Sequence, residues 1–330
     1  MSTCATASRD LAEPLAGTAA TARTWLLVEQ PGPWGTKALT SSHLDPELGR
    51  ALEAAADGTG VRVALIRRPG RHADCHTVAR RRVYVAHTAP GHSWLRTHMT
   101  QAPRELLDLD FVALGNGDHQ DFGTAHTGAP LALVCTNGKR DRCCALLGRP
   151  LAAELAGAGV EGAWEVTHLG GHRFSPTLLV LPYGYAYGRA SAHDVKEILE
   201  AAREGRVVTR GCRGGSAWER PGQAAELAVR RAVGEDSAGA LTVAQVSQVS
   251  QADGQVVQVD GQVDAAAPSW DVAVTHTDGR RWQVTVAQGA ALPPRPESCG
   301  GALGSPARMD VVAVKPVSRA REIPATLTSE

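Results

Sequence analysis

The strongest constraint in this sequence is a set of metal-binding side chains offered by two separate segments. Cys135-Thr-Asn-Gly-Lys-Arg-Asp-Arg-Cys143-Cys144 follows the apolar run Leu131-Ala-Leu-Val134, and His168-Leu-Gly-Gly-His172 follows Ala163-Trp-Glu-Val-Thr167. Both runs are short and bounded by turn residues, so each reads as a buried strand. Between them a helix is expected from near Cys143 to about Ala156, with Asp141 as its candidate cap and a kink at Pro150. A strand, helix and strand thereby carry thiolates and imidazoles to adjacent strand ends, which is what a four-ligand iron or zinc site requires. Gly170 and Gly171 permit the sharp turn that lets His168 and His172 face one point. The loop between strand and helix favours thiolates through its backbone N–H groups and the positive helix end.

Three chemistries compete for this arrangement. A structural zinc prefers cysteines two to four residues apart, as about C-x2–4-C. Thiol–disulfide exchange wants Cys-x-x-Cys, and a disulfide between vicinal Cys143 and Cys144 would close a strained small ring. A [2Fe–2S] centre spans a wider gap, needs two ligands per iron and accepts histidine on one iron. The third reading fits best and leaves the choice between Cys143 and Cys144 open. It predicts an electron-transfer protein; the alternatives are an iron–sulfur redox sensor or regulator and, more remotely, a structural zinc protein.

The rest of the composition narrows the setting. With 330 residues, 43% hydrophobic and 21% charged, the chain has material for a full core and more than one domain. Its 34 basic and 34 acidic residues cancel, so no overall field draws it to nucleic acid or to an anionic membrane. Arg9, Asp10 and Glu13 interrupt the apolar run a signal peptide would need, and no apolar stretch has spanning length, so the expected address is cytoplasmic. Seven cysteines scattered through a long chain argue for reduced thiols or metal ligation rather than a secreted disulfide framework.

Three domains are expected: an α/β domain over 1–128, a thioredoxin-like domain over 129–235, and a low-complexity loop with a β-rich extension over 236–330. In the first, Thr3 to Ala22 is expected to run over the surface. Trp25–Glu29, Val61–Ile66 and Arg82–Ala86 read as strands and Asp45–Ala56 as a helix. Arg67, Arg68, Arg71, Arg80, Arg81 and Arg82 read as a solvated loop or a docking patch for an acidic partner. His72 and His76, with Cys75 between them, lack a second ligand pair and sit among these positive charges, which disfavours a metal there. In the second, the order strand, helix, strand, hairpin (Thr177–Gly188) and helix (Ser191–Glu204) is thioredoxin-like. A helix over Ser216–Val233 follows. Leu241–Asp264 reads as an expanded loop or weak hairpin. Trp270–His276 and Arg281–Val286 alternate around Asp278-Gly279, a strong hairpin signal, and Asp310–Val314 adds a strand. Cys4, Cys75 and Cys212 read as ordinary small side chains.

Four motifs carry a resemblance: Cys135-Thr-Asn-Gly-x-Arg-Asp-x-Cys-Cys144, His168-x-Gly-Gly-His172, Trp25-Leu-Leu-Val-Glu-Gln-Pro-Gly-Pro-Trp34 and Arg295-Pro-x-Ser-Cys-Gly300. They resemble the sucrase/ferredoxin-like proteins, themselves similar to thioredoxin-like [2Fe–2S] ferredoxins and to a yeast and plant group with bis-histidinyl clusters. The resemblance implies a thioredoxin-like ferredoxin domain whose cluster is held by Cys135, Cys144, His168 and His172. Cys143 stays in reserve, because eukaryotic members aligned on Arg140-Asp141 place their second cysteine at Cys144. The family usually has histidine where this chain has Asn137. Cys299 recurs in the family motif, which makes it a better candidate for a second, redox-linked role than Cys4, Cys75 or Cys212, without assigning it one. No pair of carboxylates supports glycoside hydrolysis. Two neutral imidazoles and two thiolates would leave an oxidised cluster formally neutral. The resemblance therefore implies proton-coupled one-electron chemistry at a potential above that of plant-type ferredoxins, with an unidentified redox partner protein as donor or acceptor.

Overall fold

The computed structural model describes residues 3–70, 80–249 and 267–317. The chain opens with α1 (Cys4–Asp10) and β1 (Thr24–Glu29), whose side chains are buried up to Val28. Two helices, α2 (Ala38–Ser41) and α3 (Pro46–Ala56), cross over to β2 (Val61–Arg67), which lies parallel to β1. Asp45 caps α3 by accepting the Glu47 amide at 2.9 Å, and Pro46 occupies the first turn, where no backbone donor is needed. β3 (Arg81–His87) and β4 (Trp94–Thr100) then return antiparallel on the far side of β1. A 3-10 turn over Pro103–Asp108, α4 (Phe111–Gly115) and the short β5 (Thr124–Ala125) finish this half.

The second half repeats the pattern. β6 (Leu131–Cys135) leads through a helical crossover ending in α5 (Arg149–Gly157) to β7 (Ala163–Val166), parallel to β6. β8 (Thr177–Leu181) and β9 (Tyr185–Gly188) return antiparallel on the other side of β6. The order β7-β6-β8-β9 is that of a thioredoxin-like unit, and β2-β1-β3-β4 has the same order and directions. Next come α6 (Ala192–Arg203), opened by a capping box between Ser191 and Asp194, and β10 (Cys212–Gly215).

The two halves meet edge to edge. β2 and β7 pair antiparallel, Ile66 opposite Val166 and Arg67 opposite Glu165, so one ten-stranded sheet runs through segments 1–128 and 129–235. Arg67 is buried at this seam. Its Nε donates to Glu165 Oε2 at 2.8 Å, its Nη1 to the Gly32 carbonyl at 2.6 Å, and its guanidinium lies 4.0 Å from the Trp34 ring centre. Arg81 is also buried and donates to Gln30 Oε1. Both were expected in a solvated loop; instead they sit at strand ends, where the stem follows the sheet and the head reaches an acceptor. Arg71, His72, Cys75 and His76 lie outside the described residues.

Strand alternation divides the core. Leu26 and Val28 of β1 pack with Leu48 and Leu52 of α3, whereas Trp25 and Leu27 share a core with Leu131, Leu133 and Cys135 of β6. Ala132 and Val134 face the opposite way, toward α5 and α6.

Beyond β10, α7 (Arg220–Val233) packs on a separate antiparallel sheet. Its strands are β11 (Leu241–Gln248), β12 (Ser269–His276), β13 (Arg281–Ala290) and, after the small pair β14 (Arg295–Pro296) and β15 (Leu303–Gly304), β16 (Ala307–Pro316). This is the expected β-rich extension. β11 forms where a loop or weak hairpin was expected: Leu241 and Val243 are buried, and the polar residues after them face solvent and carry no inward pattern. Residues 250–266 of that repeat lie outside the described residues.

The amino-terminal segment differs from expectation. Rather than running over the surface, α1 buries Cys4, Ala5 and Ser8, and Glu13 is buried between Arg173 (2.9 Å) and Arg295 (3.0 Å). Small side chains and an ion triad anchor it, so no large apolar residue announces the contact. Among the described residues no helix is long and apolar enough to cross a membrane.

Candidate metal centre

Cys135 is the last residue of β6, and the chain leaves the strand there in a closed turn. Asn137 shapes that turn: its side chain donates to the Gly35 carbonyl at 3.1 Å and accepts the Lys139 amide at 3.2 Å. Asp141 ends the turn and caps the helix, accepting the Cys143 amide at 2.8 Å through Oδ1. The first helical turns include a π-helical stretch, Cys144–Gly148, immediately before Pro150. A π turn accommodates the missing proline N–H, and such turns recur at functional sites. At Gly148 a Cβ would stand 2.1 Å from the Cys135 carbonyl oxygen, so only glycine allows the helix to close on the strand end.

Consecutive helical residues point about 100° apart, and the two neighbouring cysteines diverge accordingly. Cys144 turns toward Cys135, with Sγ atoms 3.4 Å apart, while Cys143 turns away to Cys4 and Cys299. Cys135, Cys144 and His168 each bring one ligand atom within 4.8 Å of the others. The pair holds its two thiols unequally: contact with Cys144 and then with His168 lowers the Cys135 pKa well below the ordinary thiol range, although burial opposes this. Cys144, sharing its proton with Cys135, is shifted upward.

His168 follows β7 and His172 opens a 3-10 turn, with ring centroids 5.2 Å apart. Gly170 and Gly171 between them adopt φ of +80° and +71°. At Gly171 a side chain is doubly excluded, because a Cβ would also meet Arg213 Nη2. The loop is pinned from behind: Arg213 Nη1 donates to the Gly170 carbonyl at 3.1 Å and Arg62 Nη2 to the His168 carbonyl at 2.8 Å. Burial pulls both guanidinium pKa values down, Arg213 to about 9, while the nearby Cys135 thiolate pushes the other way.

His172 sits at the rim. Its side chain is 18% exposed, its Nε2 lies 3.5 Å from Asp141 Oδ2, and burial lowers its pKa, so it is a neutral imidazole at pH 7. Among the described residues, the Nδ1 atoms of both His168 and His172 are buried without a hydrogen-bond partner. An orphaned buried ring nitrogen is costly and rare; Cys135, Cys144 and His168 form a group with the chemistry of a metal centre, and His172 lies outside that group with its ring centroid 5.2 Å from that of His168.

A family model described as sucrase/ferredoxin-like matches residues 15–214, well over half of the chain. The chain belongs to the sucrase/ferredoxin-like family. The match covers both halves of the large sheet and the whole of the Cys135 to His172 region. No curated protein and no solved structure matches the chain.

For this family member, sequence reasoning missed several residues around the site. Arg62 and Arg213 lie on strands far from the motifs, and only the fold brings them to the histidine loop. Asp141 was seen as a cap; its second oxygen also accepts the Cys299 amide at 2.9 Å and faces His172. Cys4, expected to be an ordinary small side chain, lies 3.4 Å from Cys143 Sγ. Cys212 is buried in the core with its thiol raised to about 12 by burial, and it joins neither group of cysteines.

Proposed function

We propose that this protein transfers single electrons through a [2Fe–2S] cluster held by Cys135, Cys144, His168 and His172. The observation supporting this reading is two buried thiols 3.4 Å apart grouped with His168, next to His172, the Nδ1 atoms of both imidazoles being buried and without partners among the described residues. That sulfur separation suits two thiolates on one iron, which leaves the histidines for the other. When bound, the cluster supplies a one-electron couple. The protein's own groups set its conditions. Cys135 arrives as a thiolate, the two Nδ1 atoms serve as neutral donors, and the core around Trp164, Leu169 and Leu133 keeps water away. Arg62 and Arg213 place fixed positive charge behind the site and favour the reduced state.

His172 supplies the proton chemistry. With Nδ1 turned inward, its Nε2 proton faces the Asp141 carboxylate, which steadies it as outer carboxylates do for ligating imidazoles. With a cluster bound, an added electron would strengthen the hold of His172 on that proton and so link electron and proton uptake, and the partly exposed His172 edge would face a redox partner protein.

Protein purified without oxygen tests the reading. It should contain about two iron and two acid-labile sulfide per chain, and His168→Ala should lose most of both. Zinc without sulfide that is lost in His168→Ala would identify a mononuclear zinc site here instead. A cluster-dependent regulator, the other use of this centre, would form a stable complex in only one oxidation state, which pull-downs from oxidised and reduced extracts would reveal.

A further inference from the structure

Cys143 does not join the Cys135 group, and what it does join is a second cluster of thiols. Cys4 begins α1, Cys143 lies in the helical crossover after β6, and Cys299 sits in the turn between β14 and β15. Their sulfurs form a triangle with edges of 3.4 Å (Cys4 to Cys143), 3.2 Å (Cys143 to Cys299) and 3.7 Å (Cys4 to Cys299). Cys4 and Cys143 are buried, and Cys299 is half-buried. A carboxylate oxygen of Asp141 and the three sulfurs all lie within 4.8 Å of one another.

This geometry discriminates among the uses of three thiols. A disulfide joins two sulfurs at about 2.0 Å and leaves the third idle, which gives no reason for a near-regular triangle. A [2Fe–2S] cluster would put at most two of these thiolates on one iron and the third on the other iron, across the sulfide bridge and farther away, which three near-equal edges do not show. One tetrahedral ion fits: with metal–sulfur bonds of about 2.3 Å, the edges of a three-sulfur face are about 3.8 Å, so each observed edge opens by no more than about 0.6 Å. Three soft sulfurs and one hard oxygen suit the borderline-soft Zn2+, and a closed four-ligand set is that of a structural rather than a catalytic zinc.

We propose that Cys4, Cys143 and Cys299, with Asp141 as the fourth ligand, form a structural Zn2+ site distinct from the Cys135 centre. The ion ties together three segments far apart in the chain, closing α1 and the β14–β15 turn against the start of the helical crossover. α1 packs on both the His172–Phe174 turn and β14, so the staple holds the cover beside His172. Asp141 touches both places: Oδ1 and Oδ2 accept the Cys143 and Cys299 amides, and Oδ2 faces His172.

The test is metal analysis of the full-length chain, purified anaerobically, by mass spectrometry of zinc and iron. The expected result is about one zinc per chain in the wild type. Zinc should fall to background in Cys4→Ser and in Cys299→Ser, with iron content and visible spectrum unchanged. Should Cys4→Ser fail to fold, Cys299→Ser decides, because its backbone N–H to Asp141 is retained and its circular dichroism provides the control. Absence of zinc from the wild type, copper in its place, zinc retained by folded Cys299→Ser, or an intact mass showing a disulfide among these cysteines would each overturn the proposal. Loss of iron alone in His168→Ala leaves it standing, so its failure is distinguishable from that of the cluster.

Discussion

His172 holds its Nε2 3.5 Å from Oδ2 of Asp141, a carboxylate whose side chain is 1% exposed. A buried anion beside a ring nitrogen favours the protonated ring, and burial opposes it. In wild type the potential should fall as pH rises, by about 59 mV per unit for one proton and one electron, between the pKa values of the oxidised and reduced states. Asp141→Asn keeps a helix-capping side chain but removes the charge, so the sloping region should move toward lower pH by about one unit. Spectroelectrochemistry across pH reads this directly, and an unmoved slope would remove Asp141 from the account.

The opposed directions of Cys143 and Cys144 give a sharp substitution test. Cys144→Ala and Cys135→Ala should each abolish the visible chromophore, because each removes a thiolate from the 3.4 Å pair. Cys143→Ala should keep it. Absorption spectra of the three anaerobically purified variants are sufficient; a bleached Cys143→Ala beside a coloured Cys144→Ala would reverse the ligand assignment.

The glycine pair separates backbone strain from steric exclusion. At Gly170 a Cβ meets open space, so Gly170→Ala should cost only the left-handed backbone, roughly 1–2 kcal/mol. At Gly171 the new Cβ also displaces Arg213, and the cost should reach about 3 kcal/mol or more, with loss of iron. Denaturant unfolding of both variants checks the order.

At the seam of the sheet, Arg67→Met should destabilise by about 3–5 kcal/mol, since it strands the buried Glu165 carboxylate. Thr136 Oγ1 would remain as a donor to Glu165 at 2.9 Å, and the double variant Arg67→Met with Glu165→Gln should recover much of the loss. Urea midpoints of the single and double variants measure the coupling.

Much of this was legible in local sequence. β6 and β7 are short apolar runs ending at Cys135 and just before His168, and Gly170-Gly171 forces the turn between the histidines, so the strand ends could be paired by inspection. Asp45, Ser191 and Asp278-Gly279 marked helix starts and a hairpin through chemistry that acts within a few residues. The choice between Cys143 and Cys144 depends instead on helical phase, set by where Asp141 caps the helix and by the π turn before Pro150. The seam between β2 and β7 joins residues about a hundred positions apart through little more than two register pairs, and no periodicity signals it. Cys4 and Cys299 are farther apart still, on elements too short to show a pattern. Arg67 and Arg81 read as solvated loop charges because burial of an arginine depends on acceptors that only the fold supplies.

The most direct test of the central claim is Mössbauer spectroscopy of oxidised protein enriched in iron-57, with sulfide determined on the same sample. Cys135 and Cys144 on one iron and His168 and His172 on the other predict two iron sites of equal population and one labile sulfide per iron. A single iron environment, or a protein that carries zinc here and no sulfide, would contradict the account.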